Sequence, residues 1–161
     1  MSQVTLESLL NPELPKPDKV EITIDQFRSV CGTFSNIMKT EPYSDESILE
    51  LENELMFKLG KLTKDILKTT GNLIIGDFEV PNKEKLIELT NKWKNTVAAE
   101  EDKGKYIVIE ADGDDFTLVN SSDEIFVYSG ETKQTNPDDT NVVTHICKHV
   151  FAKIVGKEYD Y

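Results

Sequence analysis

Cysteine is scarce in this sequence. Cys31 and Cys147 are the only two in 161 residues, too few to make a disulfide framework in a chain of this length, so a reducing compartment is expected. No apolar stretch approaches the ~18 residues of a membrane span. The first residues, Met1-Ser2-Gln3-Val4, lack the basic region and apolar run of a secretory signal. The expectation is a cytoplasmic protein that is not secreted, in which Asn120-Ser121-Ser122 is an idle glycosylation match. Cations are also in short supply. Against 30 Asp and Glu stand 18 Lys and Arg, a formal charge of −12. That balance opposes unassisted binding to phosphate backbones or anionic membranes. No direct nucleic-acid contact and no membrane contact are expected, and partners should be basic, apolar or metallic.

Catalytic signatures are missing as well. The sequence has no Gly-x-Ser-x-Gly elbow, no Gly-x-Gly-x-x-Gly fingerprint and no Gly-x-x-x-x-Gly-Lys-Ser/Thr loop. Cys31 falls on an apolar helical face, where a thiol is inert. The reading is a non-enzyme without a cofactor. Ala, Arg, Gly and Pro, whose codons are GC-rich, are far outnumbered by Lys, Ile, Asn, Phe, Tyr and Met. That bias points to an AT-rich genome, as in many phages, some other viruses and some bacteria.

What is present is 38% hydrophobic and 30% charged, enough apolar content for one α+β domain. Residues 1–18 read as an extended arm, with Leu6, Leu9 and Leu10 ahead of Pro12, Pro15 and Pro17. Residues 19–156 form the domain and 157–161 an acidic, aromatic tail. Val20, Ile22 and Ile24 alternate with polar residues as in a strand, and Asp25 then caps a helix carrying Phe27, Val30, Cys31, Phe34, Ile37 and Met38. Ser44, Asp45 and Glu46 begin a second helix, with Ile48, Leu51, Leu55, Leu59, Leu62 and Ile66 on one stripe, that stops at Gly71. A strand interrupted at Gly76-Asp77 precedes a third helix with Leu86, Leu89, Trp93 and Val97. Tyr106–Ala111, Phe116–Val119 and Ile125–Tyr128 form a three-stranded antiparallel meander. A polar loop from Ser129 to Asp139 leads to a last helix with Val142, Val143, Ile146, Val150 and Ile154 on one face. The order βααβαβββα clusters strands and favours α+β over a doubly wound sheet.

Charge is uneven along the chain. Residues 100–131 hold Glu100, Glu101, Asp102, Glu110, Asp112, Asp114, Asp115, Asp123, Glu124 and Glu131 against only Lys103 and Lys105. His145 and His149 stand at i and i+4, the spacing of zinc proteases, but no Glu follows the first His. They read as an exposed structural pair, with no metal site assigned. Asp112, Asp114 and Asp115 fail the calcium-loop pattern at Thr117 and Asp123 and read as an Asp-Gly hairpin turn. Lys83, Lys85, Lys92 and Lys94 surround Trp93, which its register with Leu86 and Leu89 assigns to the core.

These features favour a non-enzymatic interaction or assembly protein, with a phage virion or assembly factor as the setting and the virion or host cytoplasm as the location. Its contacts would be Leu6, Leu9 and Leu10 in the arm, Asp112, Asp114, Asp115, Asp123 and Glu124 in the acidic region, and Tyr159 and Tyr161 in the tail. The partner would be a protein with a basic surface, or another copy reached through the arm. The alternatives are an acidic mimic of nucleic acid that inhibits a nuclease or DNA-binding protein, and a metal-dependent enzyme using His145 and His149.

Overall fold

Thr23 opens the first helix. In the computed structural model, which describes residues 22–96 and 104–155, its hydroxyl accepts from Gln26 N at 3.1 Å while Gln26 Oε1 accepts from Thr23 N at 2.9 Å. This capping box starts α1 (Ile24–Thr33). The cap is therefore Thr23, and Asp25 sits in the first turn. The strand expected through Ile22 and Ile24 is corrected at its described end: Ile22 is buried, and its N–H donates to Thr144 Oγ1 at 2.9 Å rather than to a neighbouring strand. Expectations on residues 1–21, 97–103 and 156–161, including Leu6, Leu9, Leu10, Val20, Val97, Tyr159 and Tyr161, lie outside the described residues.

A 3-10 turn, Ser35–Ile37, follows α1, and then β1 (Lys39–Glu41). Ser44 caps α2 (Asp45–Leu55), its hydroxyl accepting from Ser47 N at 3.0 Å. The single helix expected from Ser44 to Gly71 breaks here, at Met56, whose φ is +50°, and resumes as α3 (Lys61–Thr69). Phe57 and Leu59 explain the break. Two residues apart, they would face opposite sides of a helix, yet both are buried in the same core. Gly71 does stand in the left-handed region after α3, at φ +56°. β2 (Asn72–Ile75) and β3 (Phe78–Val80) then pair as an antiparallel hairpin around Gly76-Asp77, so the interrupted strand is two strands. With β1 they make a three-stranded sheet in the order β1-β2-β3.

α4 (Lys83–Thr96) is capped by Asn82 Oδ1, which accepts from Lys85 N at 2.9 Å. A four-stranded antiparallel sheet follows: β4 (Ile107–Asp112), β5 (Asp115–Val119), β6 (Glu124–Ser129) and β7 (Gln134–Asn141), in that order. The expected meander is its first three strands. β7 lies where a loop was expected, because Gln134–Asn141 contains no large apolar residue to mark it. Pro137 within it suits an edge strand, since proline cannot donate to a ladder. Asn141 Oδ1 accepts from Thr144 N at 2.8 Å and caps α5 (Val142–Val155).

The four-stranded sheet is buried on both faces. On one, Ile107, Ile109, Val119 and Ile125 join the main core with Ile146, Val150 and Phe151 of α5 and residues from the other helices and sheet. On the other, Val108, Phe116, Leu118 and Tyr128 pack under Leu89 and Trp93 of α4. Each fully buried large side chain contributes roughly 1.5–3 kcal/mol. The β4 edge is covered by α4, whose Thr90 Oγ1 accepts from Val108 N at 3.0 Å. The whole is a mixed α+β fold. Among the described residues no helix is long and apolar enough to cross a membrane.

Candidate functional site

Strict alternation along β4 would put Glu110 on the same face as Val108, beneath α4. A β-bulge prevents this. Val108 pairs with Leu118 but Glu110 pairs with Thr117, leaving Ile109 as the extra residue. The extra residue shifts the alternation by one, so Glu110 joins Ile107 and Ile109 on the side facing α5, and Ala111 takes the other face beside Phe116. There Glu110 Oε2 lies 3.5 Å from His145 Nε2 and 3.8 Å from His149 Nε2.

The two imidazoles meet edge to face with centroids 4.8 Å apart, and His149 stacks on Phe78 of β3 at 4.6 Å with only 4° between the rings. Side-chain exposure is 13% for His145, 38% for His149 and 30% for Glu110. The expectation of an exposed pair is corrected: α5 turns both histidines toward β4 and β3. Burial pushes the Glu110 carboxyl upward, but His145 and His149 outweigh it and hold the group below its ordinary value. Despite the 3.5 Å approach, His145 Nε2 is buried without a hydrogen-bond partner among the described residues.

Glu110 also borders a cleft of about 410 Å³ between the β2–β3 hairpin, α4 and the β4–β5 hairpin, lined in part by Asp77, Glu79, Lys85, Lys92 and Gly113. Lys153 pairs with Asp77 and holds its carboxyl low. At the cleft's outer rim the β4–β5 turn carries Asp112, Gly113 at φ +62°, and Asp114, the expected Asp-Gly turn. Asp115 Oδ1 accepts from Gly130 N at 2.8 Å, which brings the turn bearing Glu131 alongside. One end of the molecule therefore gathers carboxylates from three hairpin connections.

The sequence from residue 21 to 151 matches the protein family described as SUKH_5: SMI1-KNR4 cell-wall. The chain belongs to this SUKH family. No curated protein matches it.

In this SUKH chain the acidic stretch does not form one surface. Asp112, Asp114 and Asp115 lie at one end of the four-stranded sheet, and Asp123 and Glu124 at the other, because β5 and β6 run antiparallel between them. Asp123 is buried and spends its carboxylate within the fold, on Leu62 N, Thr63 N and Thr63 Oγ1. Its assignment as a contact residue is thereby corrected. Glu124 is exposed, with Oε1 accepting from Asn120 Nδ2 at 2.9 Å.

Trp93 is fully buried, Lys83 pairs with Glu50, and Lys85 lies 3.5 Å from Glu88. Burial pushes the Cys31 thiol up to about 11 and the Cys147 thiol well above its ordinary value, which leaves neither poised as a nucleophile. Glu110 is the site residue that sequence reasoning passed over. Its only signal was a carboxylate inside an apolar strand, and the bulge that aims it is not written in the period of the residues.

Proposed function

We propose that this SUKH chain is a non-enzymatic binding protein that receives the basic surface of a protein partner at its acidic end. The observation that carries the reading is the convergence of Asp77 and Glu79 from one hairpin with Glu110 from another on a single cleft, with Asp112 and Asp114 flanking Gly113 on the turn that borders it. Lys85 and Lys92 on the opposite wall give such a partner a second, oppositely charged reference point, which favours register over bulk attraction. SUKH domains are often immunity-type proteins. The same reading carries a reducing, cytoplasmic setting, in keeping with the free thiols Cys31 and Cys147.

Nucleic-acid mimicry asks for carboxylates in rows at phosphate-like spacing, and the division of the acidic stretch between two ends of the sheet gives that alternative less support. The test is affinity capture with the full chain at graded salt. A bound protein of high isoelectric point whose recovery falls steeply between low and high ionic strength supports the proposal. Recovery of partners indifferent to salt counts against it.

A further inference from the structure

Glu110 lines the docking cleft just described, but His145 and His149 do not, and the three together are arranged with more order than a solvated surface requires. Two of the three come from one helix, at i and i+4, and the third from a strand that is bulged at that point. Their candidate donor atoms all lie within 4.8 Å of one another.

We propose that Glu110, His145 and His149 form a binding site for one divalent first-row transition-metal ion, zinc foremost. In a tetrahedral zinc site with bonds of about 2.0–2.1 Å, neighbouring donors stand roughly 3.3–3.4 Å apart. Glu110 Oε2 stands 3.5 and 3.8 Å from the two Nε2 atoms, so these edges of the polyhedron close with shifts of a few tenths of an ångström. His145 Nε2 adds an independent pointer. It is buried and without a hydrogen-bond partner among the described residues, a state that costs free energy and that a metal bond would relieve. The stack of His149 on Phe78 fixes the second ring before any ion arrives, which reduces the ordering cost of binding.

Donor chemistry sets the class of ion. Two imidazoles and one carboxylate suit zinc, cobalt, nickel or iron, whereas magnesium and calcium want oxygen ligands throughout. Three protein donors leave a fourth position for water or for a donor group from a bound molecule.

The full chain, stripped with chelator and returned to metal-free buffer, is titrated with ZnCl₂ by calorimetry, with CoCl₂ by visible absorption and with MgCl₂ as control. One equivalent of zinc should bind, cobalt should give the intense bands of a four- or five-coordinate ion, and magnesium should bind at least a hundredfold more weakly. Glu110→Gln and His149→Gln, with far-UV circular dichroism unchanged, should each weaken zinc at least tenfold. Should Glu110→Gln fail to fold, the titration of His149→Gln decides, since His149 is the most exposed of the three. Absence of one-to-one binding, equal affinity for magnesium, or zinc affinity unmoved in a folded variant overturns the site.

Discussion

Asp123 caps a helix that is sixty residues away in sequence. Its Oδ1 accepts from Thr63 N at 2.8 Å and from Thr63 Oγ1 at 2.7 Å, while Oδ2 accepts from Leu62 N at 3.1 Å. The N-cap of α3 is Gly60, which has no side chain to cap the helix, and the distant carboxylate takes over that role next to the positive end of the helix. Asn120 shapes the turn that makes this possible: its Oδ1 accepts from Ser122 N and Glu124 N, and Asp123 adopts φ +63°. Asp123→Ala should cost about 3 kcal/mol, by stranding buried donors and by placing a β-carbon without a polar group in the left-handed region. Asp123→Asn, which keeps one acceptor oxygen, should cost about 1 kcal/mol. Urea unfolding of the two variants measures both.

Gly60 tests the same relationship from the other side. A Cβ at this position would collide with the Asp123 carboxylate. Gly60→Ala should therefore destabilise the protein, although alanine ordinarily stabilises a chain relative to glycine. In the Asp123→Ala background the penalty should shrink, and a double-mutant cycle reads the coupling directly.

Trp93 is fully buried against Tyr106, edge to face at 5.6 Å, and its Nε1 is without a hydrogen-bond partner among the described residues. Trp93→Phe removes that stranded donor along with some volume, and the two effects oppose each other. The variant should stay within about 1.5 kcal/mol of the parent, whereas Trp93→Ala should lose about 3–5 kcal/mol. Far-UV circular dichroism follows both through denaturation.

The helices were legible where apolar periodicity and a local cap coincide, as at Ser44, Ile48, Leu51 and Leu55, or along Leu86, Leu89 and Trp93. β4, β5 and β6 were legible from their apolar runs. The failures have physical causes. The Thr23-Gln26 capping box begins a helix within a stretch that alternates like a strand. Phe57 and Leu59 need an extended segment to reach one core, which the continuing leucine stripe conceals. β1 and β7 are polar strands, recognisable only by their partners. The candidate site was half legible: the i, i+4 spacing of His145 and His149 was plain, but the tertiary bulge that brings Glu110 to them was not. Asp123 counted as surface charge until its distant helix was in view. The viral setting rests on codon composition alone.

Alkaline pH should weaken the fold. Burial raises the Cys31 thiol from 9.0 to about 11, so between those values the unfolded chain has given up a proton that the folded chain retains. Stability contributed by this group is fully present below pH 9.0 and is lost as the pH rises toward 11. Cys31→Ser should flatten that part of the curve, as read by urea midpoints at stepped pH. In the folded parent at pH 8, alkylation of Cys31 should run far slower than in the urea-unfolded chain.

The binding proposal meets its sharpest test in a charge reversal at the acidic end. Asp112→Lys, Asp114→Lys and Glu131→Lys, combined in one chain, replace exposed carboxylates without touching the Asp123 cap, the Glu110 cluster or the core. Quantitative affinity capture compares this variant with the parent at the same salt, after circular dichroism shows both folded. The account predicts that the parent retains a basic protein that the variant loses at least tenfold. Equal recovery by the two proteins would contradict it.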